Sequence, residues 1–210
     1  MATQTLAPWF FRQRFALFGF VYGASFFFGN IIAGVLGVPP RPAFLSSTHT
    51  YLLAVLAVIC IAGGYALRLW ASSFIAARVV WTQDVQLGEL TVSGPYRFTR
   101  NPLYVGNLLQ AIGIGLLGPW PVEALLAVLM LAYCLILISI EEPYLAKNNG
   151  TAYAAFSARV PRFVPLPWKV APSGQQRGSW RDGLRSEAMT GTVALAATAF
   201  IAWRLATAGR

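Results

Sequence analysis

The chain has 210 residues and a net charge of +9, yet it is 57% hydrophobic and only 11% charged. A soluble domain carries about 25% charged residues, and 210 residues cannot cover this much apolar helix with polar surface, so a soluble globular enzyme is excluded. The placement of the basic residues, set out below, excludes nucleic acid as the reason for the positive charge.

Uncharged runs extend over residues 15–38, 50–67, 101–122, 124–140 and 188–203. Each is at or near the roughly 17–25 residues that a helix needs to cross a bilayer. The expected fold is therefore all-α: a polytopic transmembrane helical bundle of about five spans, near 15–38, 50–67, 102–118, 122–140 and 188–204, in one membrane domain covering 1–210. The first run follows Arg12 and Arg14 and ends at Val38-Pro39-Pro40. It is too long for the apolar core of a signal peptide and has no small-residue cleavage site, so it reads as a retained span. Gly19 and Gly23, then Gly29 and Ala33, give it small-xxx-small spacing, which suits helix packing in lipid. The second span is expected to continue past Arg68 toward Phe74-Ile75-Ala76, with Trp70 and Trp81 as interfacial aromatics.

Gly118-Pro119-Trp120-Pro121 separates the third run from the fourth and cannot continue a helical hydrogen-bond ladder. The two runs must form a tight hairpin, opening just after Asn101-Pro102 and ending at Glu141-Glu142-Pro143. Proline suits the first turn of a helix, so Pro102 marks the start. An antiparallel hairpin brings its open ends together. Arg100, Asn101 and Tyr104 are therefore expected beside Glu141 and Glu142, and polar groups at membrane depth tend to mark a site. Beyond the hairpin, residues 147–186 are polar. A short helix is expected over Thr151–Phe163, with Tyr153, Phe156 and Val160 as its apolar stripe, and a mobile surface loop over Ser173–Arg185.

With the N-terminus inside, five spans place segments 1–14, 68–100 and 141–187 on the cytoplasmic side. Thirteen of the sixteen basic residues fall there, leaving Arg41, Arg204 and Arg210 outside. This is the positive-inside pattern, and it accounts for the charge as topology. Asn149-Gly150-Thr151 matches a glycosylation sequon but lies on the inner side. Cys60 and Cys134 sit inside apolar runs with no ligand spacing, and His49 is the sole histidine, so no metal site is expected. Gly113-Ile114-Gly115-Leu116-Leu117-Gly118 is a literal GxGxxG, but no strand precedes it and a nucleotide-binding turn is rejected.

Gly94-Pro95-Tyr96-Arg97-Phe98-Thr99-Arg100-Asn101-Pro102-Leu103-Tyr104-Val105-Gly106 resembles the signature of the isoprenylcysteine carboxyl methyltransferase and phospholipid methyltransferase superfamily, G-P-Y-x-x-x-R-H-P-x-Y-x-G. A second block follows as Glu141-Glu142-Pro143-Tyr144-Leu145, Gly150-Thr151-Ala152-Tyr153 and Arg159-Val160-Pro161-Arg162-Phe163-Val164-Pro165. The resemblance covers about residues 90–165. It implies an enzyme that uses S-adenosylmethionine on a lipid or isoprenoid-like acceptor, with the cofactor at the cytoplasmic end of the hairpin. By that match Tyr96, Arg100, Asn101, Tyr104, Glu141 and Glu142 are the cofactor-binding candidates. Glu142, as a proton acceptor for an amine, and Arg159 and Arg162, closing over the cofactor or holding an anionic acceptor group, are the catalytic candidates. A sulfonium is suited by carboxylates and aromatic faces, and the cofactor's carboxylate by an arginine fork.

Asn101 stands where many members have histidine, and it cannot take up a proton near neutral pH. An NADPH-dependent membrane reductase of the sterol-reductase type carries a related R-H-P-N-Y-x-G-E motif. Leu103 and Asn107 depart from it at two positions, which favours methyl transfer. A transporter would show polar residues at mid-membrane in two corresponding helices, a mark not seen here. The arginine-rich, lysine-poor composition and the basic asymmetry together point to a multi-pass protein of a bacterial inner membrane, its site facing the cytoplasm. The acceptor and the oligomeric state are not legible.

Overall fold

The computed structural model describes residues 13–39, 48–75, 90–166, 170–172 and 174–207, without the side chains of 48–50 and 204–207. Arg12, Arg41, Arg78, Trp81, Pro167, Lys169 and Arg210, and the side chains of His49 and Arg204, thus lie outside the described residues. The described chain is all-helical: α1 (Arg14–Val35), α2 (Thr48–Ser72), a 3-10 turn (Gly94–Arg97), α3 (Pro102–Gly115), α4 (Trp120–Arg159), α5 (Trp180–Ser186) and α6 (Ala188–Thr207). Three of them, α1, α2 and α4, are long and apolar enough to cross a membrane, and α6 is a shorter apolar helix. This is a polytopic helical membrane protein, as the periodicity predicts.

The helix ends follow local chemistry. At the end of α1, Val38 N donates to Ala33 O at 2.8 Å and Gly37 N to Gly34 O at 3.2 Å. Gly37 takes φ +64, the left-handed conformation that closes such an end, and Pro39 follows. The third helix is shorter than expected. It stops at Gly115 rather than residue 118, and Leu116–Gly118 form a turn bonded back to Ile112, Ile114 and Gly115. The fourth is longer. Pro143 does not end it, and α4 continues to Arg159, leaving helical dihedrals only at Gly150 (φ 46, ψ −121). Gly150 marks a kink between two helical stretches, so the expected short helix from Thr151 is present as its own stretch, ending at Arg159 rather than Phe163.

The chain divides into two compact units. The second comprises residues 16–65, 107–133 and 189–210. Its core is apolar: Ala54, Ala57 and Ile61 of α2 cluster with Leu116 and with Ala194 and Ile201 of α6. Close approach depends on glycine. A methyl at Gly29 would lie 2.7 Å from Val122 Cα, and one at Gly113 would lie 2.8 Å from the Ala57 carbonyl oxygen. The buried stripe of α1 is Val21, Ser25, Gly29 and Ala33. Gly19 and Gly23, expected on that packed face, are exposed, because the i+4 register selects the other stripe.

The first unit comprises residues 1–15, 66–106 and 134–188. Tyr153, Phe156 and Val160 form its apolar cluster with Ala171, and Leu90, Val92 and Leu145 pack on it. The expected stripe is therefore the face that α4 buries. Of the segment 173–185, expected as a mobile loop, Ser173 lies outside the described residues, and 174–185 is instead a bonded stretch ending in α5, whose start is capped by Ser179 Oγ accepting from Asp182 N at 3.4 Å. Its glycines, read from sequence as loop residues, serve close packing: Gly183 against Leu69 of α2, Gly178 against Ser73 and Phe74 just beyond that helix, and Gly174 against Ser93.

Candidate active site

In the first unit the Gly94–Arg97 turn delivers the chain to Pro102. Gly94 adopts φ +59, and a side chain there would strike the Phe74 ring, so glycine is required on both counts. The turn is anchored onto the segment after α4: Arg100 N donates to Pro161 O at 2.9 Å, and Thr99 Oγ1 to Phe163 O at 2.8 Å. Thr99 Oγ1 also accepts from Asn101 N at 3.3 Å. Thr99 is not singled out in the sequence because it stands at an open position of the signature, and Phe163, a motif residue, takes part through its backbone carbonyl, which no side-chain pattern reveals.

Glu142 is the hub. Its Oε1 lies 3.4 Å from Arg100 Nη1 and accepts from Asn101 Nδ2 at 3.3 Å, and its Oε2 meets Arg162 Nε at 2.9 Å. Asn101 Nδ2 further donates to the Arg162 carbonyl at 2.7 Å, which fixes the amide's orientation. Arg100 Nη1 also reaches Tyr153 Oη at 3.4 Å. One turn along, Tyr104 Oη donates to Glu141 Oε1 at 2.6 Å. The closure of the hairpin thus brings Arg100 and Asn101 to the two glutamates, as the proline-rich turn requires. Arg162 joins them. Arg159 does not; it is exposed and makes no ion pair among the described residues.

Three buried polar atoms within eight residues have no hydrogen-bond partner among the described residues: Ser93 Oγ, Tyr96 Oη and Arg100 Nε. Buried polar groups are nearly always paired, and an unpaired one costs about 1–3 kcal/mol. Three together mark where a ligand's polar atoms belong. Burial pushes the Tyr96 hydroxyl well above the usual phenol range, with Glu141 adding to the rise, so it stays protonated. Tyr96 Oη and Arg100 Nε are then donors without an acceptor among the described residues, with the carboxyl groups of Glu141 and Glu142 nearby. This donor set fits S-adenosylmethionine, which carries both a carboxylate and a cationic sulfonium.

A second ionic cluster was missed in the sequence. Arg68 forks Glu187 with two 2.8 Å bonds, and Ser72 Oγ donates to Glu187 Oε1 at 2.7 Å. Glu187 is fully buried. The available signal was a lone carboxylate directly before the last apolar run, since an acidic residue there needs a partner.

Comparison with known proteins gives the following. The family model described as phospholipid methyltransferase matches residues 52–152. The chain is 34% identical over 121 residues to the cobalt-zinc-cadmium resistance protein CzcN of Cupriavidus metallidurans, covering 52% of this chain and 51% of that protein. It is 31% identical over 100 residues to the nickel-cobalt-cadmium resistance protein NccN of Alcaligenes xylosoxydans xylosoxydans, covering 47% and 43%. The chain therefore spans about half the length of the curated relatives it matches. No solved structure matches.

Proposed function

We propose that this chain, whose residues 52–152 match the phospholipid methyltransferase family model, moves a methyl group from S-adenosylmethionine to a lipid-like acceptor at the cytoplasmic face of a bacterial inner membrane. The observation that carries this reading is the Glu142 hub beside the unpartnered donors of Tyr96 and Arg100. When bound, S-adenosylmethionine supplies an electrophilic methyl on a sulfonium. Methyl transfer is an in-line displacement, so the protein's share is alignment and exclusion of water. Arg100 Nε and Tyr96 Oη would hold the cofactor's carboxylate, and Asn101 keeps the start of α3 in place through the Arg162 carbonyl.

The two glutamates divide the remaining work. Both oxygens of Glu142 already accept from or face cationic or amide donors, which makes it an organiser of the mouth. Glu141 has one oxygen bonded to Tyr104 and the other without a partner among the described residues. Glu141 is therefore the carboxylate open to take a proton from an amine acceptor; a carboxylate acceptor would need no base. Arg162, exposed at the rim, suits an anionic headgroup. A metal-resistance role like that named for the two relatives is compatible with such chemistry, since methylating a lipid carboxylate removes a negative charge that a divalent cation meets at the bilayer surface.

The test is binding of S-adenosylmethionine against NADPH to the detergent-purified protein, then transfer of labelled methyl to extracted membrane lipid. Binding of NADPH alone would turn the assignment to a reductase. The proposed sidedness predicts that reporter fusions at residues 45 and 175 report opposite faces, and one face for both would refute it.

A further inference from the structure

The segment Gly174–Glu187 lies across the Gly94–Arg97 turn and the end of α2 without using any motif residue. It is led in by Ala171, whose N–H donates to Arg97 O at 3.0 Å and whose carbonyl accepts from Arg97 Nε at 2.8 Å. The Gln176 amide then bridges Leu90 O at 3.0 Å and Val92 N at 3.1 Å. Ser179 N donates to Ser73 O at 2.6 Å. Three glycines let this strap lie close. A methyl at Gly174 would meet Ser93 Oγ at 2.7 Å, one at Gly178 the Phe74 ring at 3.0 Å, and one at Gly183 the Leu69 carbonyl at 3.0 Å. The strap ends where Glu187 is gripped by Arg68 and Ser72.

Ser93, against which Gly174 lies, and Tyr96 of the turn that follows carry two of the three unpartnered buried side-chain oxygens and nitrogens among the described residues. The charges that act on the Tyr96 hydroxyl are those of Glu141, Arg68 and Glu187. A buried, forked ion pair is a poor source of net stability but a strong determinant of one geometry. We propose that Arg68 and Glu187 are positioning residues: their fork pins the strap over the turn and holds the Tyr96 hydroxyl toward an anionic oxygen of the bound ligand. Protonated Tyr96 and Arg100 Nε are both donors, which is why the complementary group is a carboxylate or phosphate oxygen. That oxygen belongs either to the cofactor's carboxylate or to the acceptor's headgroup. This inference rests on the proposed methyl transfer and deepens it.

The experiment is a double-mutant cycle of Tyr96→Phe and Glu187→Gln in the full chain, read as the Kd for S-adenosylmethionine, the KM for the acceptor and kcat. Each single variant should weaken one ligand by about tenfold, the scale of one charge-assisted hydrogen bond. The double variant should be no worse than Tyr96→Phe alone, because Glu187 acts through Tyr96. A rise in cofactor Kd assigns the oxygen to the cofactor, and a rise in acceptor KM alone assigns it to the acceptor. Fully multiplicative losses would overturn the coupling. Arg68→Lys, which keeps the charge but not the fork, should recover part of the loss, and Ser72→Ala should give a smaller loss in the same direction. Hydrogen exchange of Gly174–Glu187 needs no ligand: Glu187→Gln should release it while α2 stays protected. If the strap stays protected, the fork is not its latch. If the wild type binds no S-adenosylmethionine while the strap is still released in Glu187→Gln, the methyl-transfer reading fails and the latch stands.

Discussion

The two units of this chain are held together by different physics. In the second unit, contact comes from missing side chains: Gly29 against Val122 and Gly113 against Ala57 let helix backbones meet, and the cluster around Ile61 has no polar member. In the first unit, contact comes from directed bonds among Arg100, Asn101, Glu142 and Arg162, with Arg68 and Glu187 as a second centre. Close backbone approach in lipid needs no hydrogen-bonding side chain and leaves nothing unsatisfied. A polar network does leave remainders, and here they fall at Ser93, Tyr96 and Arg100. The proposed methyl transfer is assigned to the unit with the remainders.

This contrast can be broken from either side. The largest effect is expected at the hub. Glu142→Ala strands Arg100, whose side chain is only 16% exposed, so about 3–5 kcal/mol of stability should be lost together with cofactor binding; chemical unfolding in detergent and a binding titration measure both. Arg162→Ala, at a rim position, should cost about 1 kcal/mol or less. In the other unit, Gly113→Ala drives a methyl onto the Ala57 carbonyl. A loss of about 1–3 kcal/mol is expected from overpacking, with Kd for S-adenosylmethionine unchanged in the folded fraction. An altered Kd would show that the polar unit is not self-contained.

Asn101 sharpens the comparison further. Asn101→Leu removes the bonds to Arg162 O and Glu142 and should raise the cofactor KM, by about 1–2 kcal/mol in binding terms. Asn101→His should retain measurable activity, and the pH–rate profile of the wild type should show no pKa near 6–7 belonging to position 101. A normal KM in Asn101→Leu would reduce this residue to a helix start. The smallest effect concerns Tyr96. The unfolded phenol ionises near pH 10, but burial keeps the folded one protonated beyond that. The folded state then binds the extra proton, so stability falls as pH rises above about 10. Tyr96→Phe removes this contribution, and thermal unfolding of the two proteins from pH 9 to 11 should show the wild type losing ground.

Much of this was legible because the informative residues are local. Apolar run length gave the long helices, and Gly118-Pro119-Trp120-Pro121 forced the hairpin that joins Arg100 to Glu142. The Tyr153, Phe156 and Val160 spacing gave the buried face of α4. What escaped was either long-range or masked by composition. Arg68 and Glu187 are 119 positions apart, and no periodicity links them. Gly174, Gly178 and Gly183 have the composition of a loop, but each is small because something lies against it. Pro143 reads as a helix end, since it forfeits a bond to the carbonyl of Ser139. The helix nevertheless runs through it, and the departure from helical dihedrals comes at Gly150.

The shortness of α3 has a consequence for the bilayer itself. Fourteen residues rise about 21 Å, against a hydrocarbon thickness of about 30 Å. The Leu116–Gly118 turn satisfies its own amides through Ile112, Ile114 and Gly115, and Pro119 has none to satisfy, so this end tolerates immersion. A membrane around such a helix either thins or draws the turn below its surface. Thinning shortens the distance between aqueous phase and midplane beside the hairpin. A lipid there meets a shallower barrier to tilting its headgroup inward than it meets in undisturbed bilayer.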